Sequence, residues 1–96
     1  MNVYYNLIMN IDIDNLKKRI LYRSQYRGTR EMDNLLNSFV VKYINEINES
    51  KLNNLEKFLE LDDEKLYKFY NNTLLDLDFE DKYILNLFKN FKFNTK

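Results

Sequence analysis

The chain contains no cysteine, no histidine and no proline, and Gly28 is the single glycine among its 96 residues. Absence of cysteine removes disulfides, thiolate nucleophiles and sulfur-ligated metals, and suits a reducing compartment such as cytosol or mitochondrial matrix. Absence of histidine removes the side chain that titrates near neutrality, a principal zinc ligand and the base that activates Ser or Cys nucleophiles. Most enzyme classes are thereby excluded. Catalysis by carboxylates alone would remain, and it needs a cleft that a chain this small can hardly build. With no proline and one glycine, the punctuation of short strands and tight hairpins is missing as well, so helices are the expected element.

An excess of either charge is also lacking, because 15 Lys and Arg balance 15 Asp and Glu. No overall field draws the chain to nucleic acid or to an anionic membrane, so any electrostatic recognition must come from local patches. No uninterrupted apolar run reaches the roughly 18 to 20 residues that span a bilayer, and no membrane insertion is expected. The stretch Met1 to Ile13 has neither a positively charged start nor a small-residue cleavage site, so no secretion signal or transit peptide is read there. That reading favours a bacterial cytoplasm over a mitochondrial matrix.

What is present is a globular balance of 45% hydrophobic and 31% charged residues, well away from the signature of disorder. A chain of this length holds one modest core. The expected organisation is an N-terminal extension over 1–12, a helical domain over 13–92 and a short tail over 93–96, with a monomer as the default state.

Apolar spacing predicts five helices. The first runs from Ile13 to about Gln25 on Leu16, Ile20, Leu21 and Ser24, with Asp12 or Asp14 as its cap. Its other face carries Lys17, Lys18, Arg19 and Arg23, which a solvated surface would explain. Gly28 suits the end of that helix and Thr29 the cap of the next, whose stripe is Met32, Leu35, Leu36, Phe39 and Tyr43. Ser50 is the expected cap for a third helix on Leu52, Leu55, Phe58 and Leu59. Asp62 and Asp63 offer a cap for a fourth on Leu66, Phe69 and Tyr70, and a fifth spans about Phe79 to Phe91 with Tyr83, Ile84, Leu87, Phe88 and Phe91 inward. Short amphipathic helices can bury their stripes only against one another, which predicts an all-α compact bundle.

The densest polar grouping is Arg27-Gly28-Thr29-Arg30-Glu31. A glycine at a helix junction admits another backbone closely, while Arg and Glu offer a bidentate donor and an acceptor to a partner surface. The plainer alternative is a glycine cap beside an i, i+4 pair of Arg27 with Glu31 worth a few tenths of a kcal/mol.

The run Leu16-Lys17-Lys18-Arg19-Ile20-Leu21-Tyr22-Arg23-Ser24, followed by Arg27-Gly28-x-x-Glu31-Met32-Asp33, resembles the succinate dehydrogenase assembly factor family. The likeness continues through Leu35-Leu36 and Phe39, Ser50 to Leu61, and Asp62-Asp63 with Leu66-Tyr67. It covers about Leu16 to Tyr70, and departs at position 26, which is Tyr where that family often has His. The resemblance implies a non-enzymatic factor that binds the flavoprotein subunit of succinate dehydrogenase and promotes covalent attachment of FAD to a histidine of that subunit. Fumarate reductase is a second candidate client. The factor would bind no cofactor stably; FAD attachment happens in the partner. Arg27, Gly28 and Glu31 would make the contact, Arg23 and Arg30 would support it, and Tyr22, Asp62, Asp63 and Tyr67 are secondary candidates.

Two other classes compete. Members of the same family have also been described as the antitoxin half of a toxin-antitoxin pair, which would make the chain a regulatory interaction module. Nucleic-acid binding through the clustered Lys and Arg is opposed by the zero net charge and the acidic second half.

Overall fold

The computed structural model describes the backbone of residues 3–93 and the side chains of residues 11–93. Five helices follow in order: α1 Val3–Gln25, α2 Arg30–Tyr43, α3 Glu49–Phe58, α4 Asp63–Tyr70 and α5 Lys82–Asn90. Among the described residues there is no strand, and the fold is the all-α bundle expected. Residues 1 and 2 and the tail residues 94–96 lie outside the described residues.

The first helix starts ten residues before the expected Ile13. Asp12 and Asp14 are therefore exposed positions inside α1 rather than caps. The reason is that a capping residue ends a helix only where the chain before it leaves helical geometry. Upstream of Asp12 there is neither Pro nor Gly to force that, and each added residue gains a backbone hydrogen bond. The 23 residues of α1 span about 35 Å at the standard rise.

The other helix starts follow local side-chain chemistry. Thr29 Oγ1 accepts from the Met32 N–H at 3.2 Å, and Asp62 Oδ2 from Lys65 N–H at 3.3 Å, both as expected. For α3 the cap is Asn48, whose Oδ1 accepts from Lys51 N–H at 2.9 Å, and not Ser50. Asn caps as well as Ser, and the earlier start puts Glu49 in the first turn, where the helix dipole favours it. α5 begins at Lys82, capped by Asp81 through Ile84 N–H at 3.2 Å, rather than at Phe79. Phe79 instead anchors the preceding loop, its ring centroid 5.6 Å from that of Phe58. That loop turns at Asn72, whose φ of +64° lies in the left-handed region that Asn tolerates better than other non-glycine residues.

α1 packs on α2 and α3, and α5 closes the bundle against α3 and α4. At the centre Phe39 of α2, Phe58 of α3 and Phe88 of α5 are fully buried. Phe88 meets both of the others edge-on with centroids 5.1 Å apart. Such contacts add roughly 0.5–1.5 kcal/mol each beyond area burial. One inward expectation fails: Tyr83 is 51% exposed, and Leu85 takes the buried place beside Ile84 and Phe88. Three apolar residues at 84, 85 and 88 outweigh one tyrosine in setting the rotation of a two-turn helix. Tyr83 instead lies under the Lys51 ammonium, 5.2 Å from the ring centre.

Candidate functional site

α1 ends at Gln25, and the chain turns through Gly28, at φ +109°, into the cap of α2. That backbone conformation is strained for any residue with a Cβ. A Cβ built at Gly28 would nevertheless meet no heavy atom within 4 Å. The glycine is needed for its dihedral angle and not for room inside the protein, so the space beside it opens outward.

Arg27 does not present its guanidinium to that opening. Its side chain is 10% exposed and reaches across to the α3–α4 turn. Nε donates to Asp63 Oδ1 at 2.9 Å, with Nη2 2.7 Å from the same oxygen. Nη2 also donates to the Leu61 carbonyl at 3.2 Å, and Nη1 to the carbonyl of Leu59. The Leu59 carbonyl belongs to the C-cap of α3 and the Leu61 carbonyl to the turn before α4, and an arginine is suited to satisfying two carbonyls together with a carboxylate. The backbone N–H of Arg27 donates to Asp33 in the first turn of α2. Arg27 thus locks the α1–α2 loop to the α3–α4 turn. This corrects its expected place as a surface donor, and its partner is Asp63, 36 positions along the chain, rather than Glu31.

The arginines of α1 repeat this arrangement at intervals of one helical turn. Arg19 forms a two-pronged pair with Glu56, and Arg23 lies 3.3 Å from Glu56 and 3.8 Å from Glu60. Arg19, Arg23 and Arg27 therefore face Glu56, Glu60 and Asp63 in register, so this face is an intramolecular ladder and not merely a solvated surface. The hydrogen bond from Arg19 is the main cause holding the Glu56 carboxyl below its ordinary range, against a smaller opposing effect of burial. Lys17 leaves the ladder and donates to Asn45 at 2.9 Å.

Arg30 and Glu31, at the start of α2, are exposed, and neither makes an ion pair among the described residues. Beside them lies an open groove of about 650 Å³. Gln25 and Tyr26 form one wall, Gly28 and Thr29 its head, and Asp33 together with Arg30, Asn34 and Asn37 the other. The last three lie at i, i+4 and i+7 and so share one face of α2. Tyr26 is 72% exposed and Tyr22, one turn earlier, 65% exposed; their rings are 5.2 Å apart. Beneath the groove Ser24, fully buried, donates to the Leu21 carbonyl at 2.7 Å and accepts from Asn37 Nδ2 at 3.1 Å, which fixes α1 against α2.

Of the expected site residues, Gly28, Arg30 and Glu31 therefore fall together on an open surface, with Tyr22 nearby along α1. Arg23, Arg27 and Asp63 belong to the ladder. Asp62 is exposed and caps α4, and Tyr67 is partly exposed on the α4 face that Asp63 begins. Residue patterning alone did not single out Gln25, Asn34 and Asn37, because exposed amides are unremarkable in a chain this rich in Asn. Among the described residues no group of His, Cys, Asp or Glu is placed to hold a metal, and no helix is long and apolar enough to cross a membrane.

Comparison with known proteins gives this surface a context. The family described as flavinator of succinate dehydrogenase matches residues 18–92, which extends the likeness past Tyr70 through α5. "Succinate dehydrogenase assembly factor 2, mitochondrial" of Scheffersomyces stipitis is 35% identical over 75 residues, covering 74% of this chain and 50% of that protein. The protein of the same name in Lodderomyces elongisporus is 35% identical over 79 residues, covering 78% and 48%. The Aspergillus flavus protein is 34% identical over 56 residues, covering 58% and 19%. The chain spans about half the length of the first two relatives. No solved structure matches it significantly. All three relatives are fungal proteins named mitochondrial, which overturns the expected bacterial cytoplasm and points to the mitochondrion. Their shared name is that of an assembly factor and not of an enzyme. Since the match runs from the basic face of α1 through the glycine turn to the end of the bundle, the chain belongs to the family of the flavinator of succinate dehydrogenase.

Proposed function

We propose that this protein assists assembly of succinate dehydrogenase by binding its flavoprotein subunit and promoting covalent attachment of FAD to a histidine of that subunit. A chain without His or Cys can neither carry the flavin linkage nor supply an ordinary base near neutral pH. Its contribution is to hold the subunit in a conformation where the subunit's own chemistry is faster. No cofactor is held stably on this chain in that reading.

The observation that carries the proposal is the open space at Gly28, flanked by Arg30 and Glu31, two exposed side chains of opposite charge with no ion-pair partner among the described residues. A rigid turn bearing a free donor and a free acceptor suits charge-assisted hydrogen bonds to another protein. Arg27 serves by keeping the turn in place, and Arg23 by supporting α1 against α3. The experiment is co-expression with the flavoprotein and in-gel flavin fluorescence. Gly28→Glu fills the open space, and Glu31→Ala and Arg30→Ala remove the acceptor and the donor. With folding confirmed by circular dichroism, each is expected to lower covalent flavin several-fold. Undiminished flavinylation with all three would remove this turn from the mechanism.

A further inference from the structure

Asp33 enters none of the ion pairs formed among the described residues, although it stands half-buried at the wall of the groove beside Gly28. A carboxylate in the first turn of α2 suits the helix dipole, but that does not explain where this one points. Its Oδ1 accepts the backbone N–H of Arg27, six residues earlier. The same turn of α2 holds Thr29, whose Oγ1 accepts from Met32 N–H at 3.2 Å and whose carbonyl accepts from Asp33 N–H at 2.9 Å. The residues on both sides of Gly28 are therefore tied to one turn of helix.

A glycine populates positive and negative φ about equally, so nothing in Gly28 itself selects its +109°. The selection comes from its neighbours. Thr29 is fixed by capping α2. Arg27 is held twice, by its guanidinium on the α3–α4 turn and by its N–H on Asp33. Several rotatable bonds separate the guanidinium from the main chain, so that contact fixes where the loop lies and not its dihedral angles. The bond to Asp33 acts on the main chain directly.

We infer that Asp33 is the positioning residue of the docking turn. By holding the Arg27 N–H it selects the Gly28 conformation in which Arg30 and Glu31 flank the open space, and it acts through the backbone rather than as a charge offered to the partner. The inference rests on the proposed function and names the residue that prepares its turn for binding. Where only a fraction of molecules hold the competent turn, apparent affinity falls by that fraction while the complex, once formed, is unchanged. Loss of Asp33 thus alters how much factor is needed and not how fast the saturated subunit reacts.

The experiment titrates wild type, Asp33→Ala, Asp33→Asn and Asp81→Ala against purified flavoprotein subunit with FAD, following covalent flavin well below every melting temperature. Asparagine keeps an acceptor oxygen and removes the charge. Asp81, which caps α5 and pairs with Lys51 at the other end of α3, controls for lost stability away from the turn. Expected for Asp33→Ala is a half-saturating concentration about five- to tenfold higher, the net worth of one hydrogen bond, with an unchanged maximal rate. Asp33→Asn and Asp81→Ala should stay near wild type. In proton–nitrogen spectra the Arg27 amide should be protected from exchange in wild type and Asp33→Asn and lose that protection in Asp33→Ala. An unprotected Arg27 amide in wild type overturns the inference by itself, however the variants fold. It is also overturned, with the proposed function left standing, if Asp33→Ala titrates like wild type or if Asp33→Asn does no better than Asp33→Ala, which would make the charge itself the contact. If wild type does not raise flavinylation of the subunit, the proposed function falls and takes this inference with it.

Discussion

Replacing Arg27 by Ala tests whether the loop is held by one side chain. The substitution leaves Asp63 without its partner and the carbonyls of Leu59 and Leu61 without donors. Breaking a fully buried pair by removing one partner costs about 3–5 kcal/mol. Here Arg27 is 10% and Asp63 28% exposed, so water can reach the orphaned carboxylate, and the expected cost falls to about 2–3 kcal/mol. For a domain of this size that lowers the melting temperature by roughly 10–20 °C. The assay is thermal unfolding followed by far-ultraviolet circular dichroism, with urea unfolding as a check on two-state behaviour. Arg27→Lys is expected to recover part of the loss, because an ammonium can meet Asp63 but cannot span the two carbonyls as well. In a double-mutant cycle with Asp63→Asn, a coupling of about 1–2 kcal/mol should appear. A melting temperature within about 3 °C of wild type, or additive effects of the two substitutions, would refute the claim that Arg27 locks the turn.

Four further outcomes follow from the same geometry. Gly28→Ala should cost about 1–2 kcal/mol in urea unfolding, wholly from backbone strain at φ +109°, since no atom stands in the way of the methyl group. Phe39→Ala, at a fully buried ring touching Phe58, Phe88 and Phe91, should cost about 3–5 kcal/mol and shift the urea midpoint accordingly. Asp81→Ala should cost about 1 kcal/mol or more, because it removes the cap of α5 along with the partner of Lys51 and Asn54. Lowering the pH should destabilise the fold through Glu56 and Asp81. At Asp81 burial pushes the carboxyl up, but hydrogen bonds from Lys51, Asn54 and Ile84 N–H together bring it below its usual 3.8. Glu56 is likewise lowered from 4.5. Folded-state values below the unfolded ones mean stability that is full at neutral pH and lost as pH falls from about 5 through the carboxylate range. Glu56→Gln should flatten that loss in a series of urea midpoints.

How much of this could be seen in the sequence depended on how local each cause was. Thr29 and Asp62 were legible as caps because their hydrogen bonds span three residues. Where two capping residues stand near each other, as Asn48 and Ser50 do, local chemistry does not choose between them. The start of α1 is not legible, because Asp12 and Asp14 look like caps although nothing upstream forces the chain out of a helix. The core stripes of α2 and α3 were legible because several apolar residues agree on one face. The 3.6-residue period admits Tyr83 inward beside Ile84, whereas the competition of Leu85 for the same space is a tertiary matter.

The candidate site divides along the same line. That Gly28 marks a turn with charged neighbours follows from composition, but which arginine faces out does not. Arg27 had an obvious local partner four residues on, Glu31, and a pair of that kind at the surface is worth little. The fold instead offers a half-buried carboxylate and two carbonyls of the α3–α4 turn 32 to 36 positions away, which together outweigh it. The counterpart spacing was in the sequence all along: Arg19, Arg23 and Arg27 step by four, and Glu56, Glu60 and Asp63 step by four and three. Only the packing of α1 on α3 turns those two rows into a ladder.

Arg27 and Arg30 stand three residues apart and end in opposite environments, and the glycine between them is the reason. If α1 had simply continued through position 30, these two arginines would share a helix face and compete for the same acidic partners. The φ of +109° at Gly28 breaks that periodicity, so Arg27 finishes one segment against the α3–α4 turn while Arg30 begins another facing the groove. The same residue therefore separates a structural arginine from one that is free for a partner. It follows that Gly28→Ala and Gly28→Glu should differ in kind. The alanine variant is expected to lose stability but retain most flavinylation at low temperature, whereas the glutamate variant, with the same strain plus a charged side chain in the open space, should lose flavinylation even where it remains folded. Equal loss of flavinylation in the two folded variants would place the role of Gly28 in the backbone conformation and not in the space beside it.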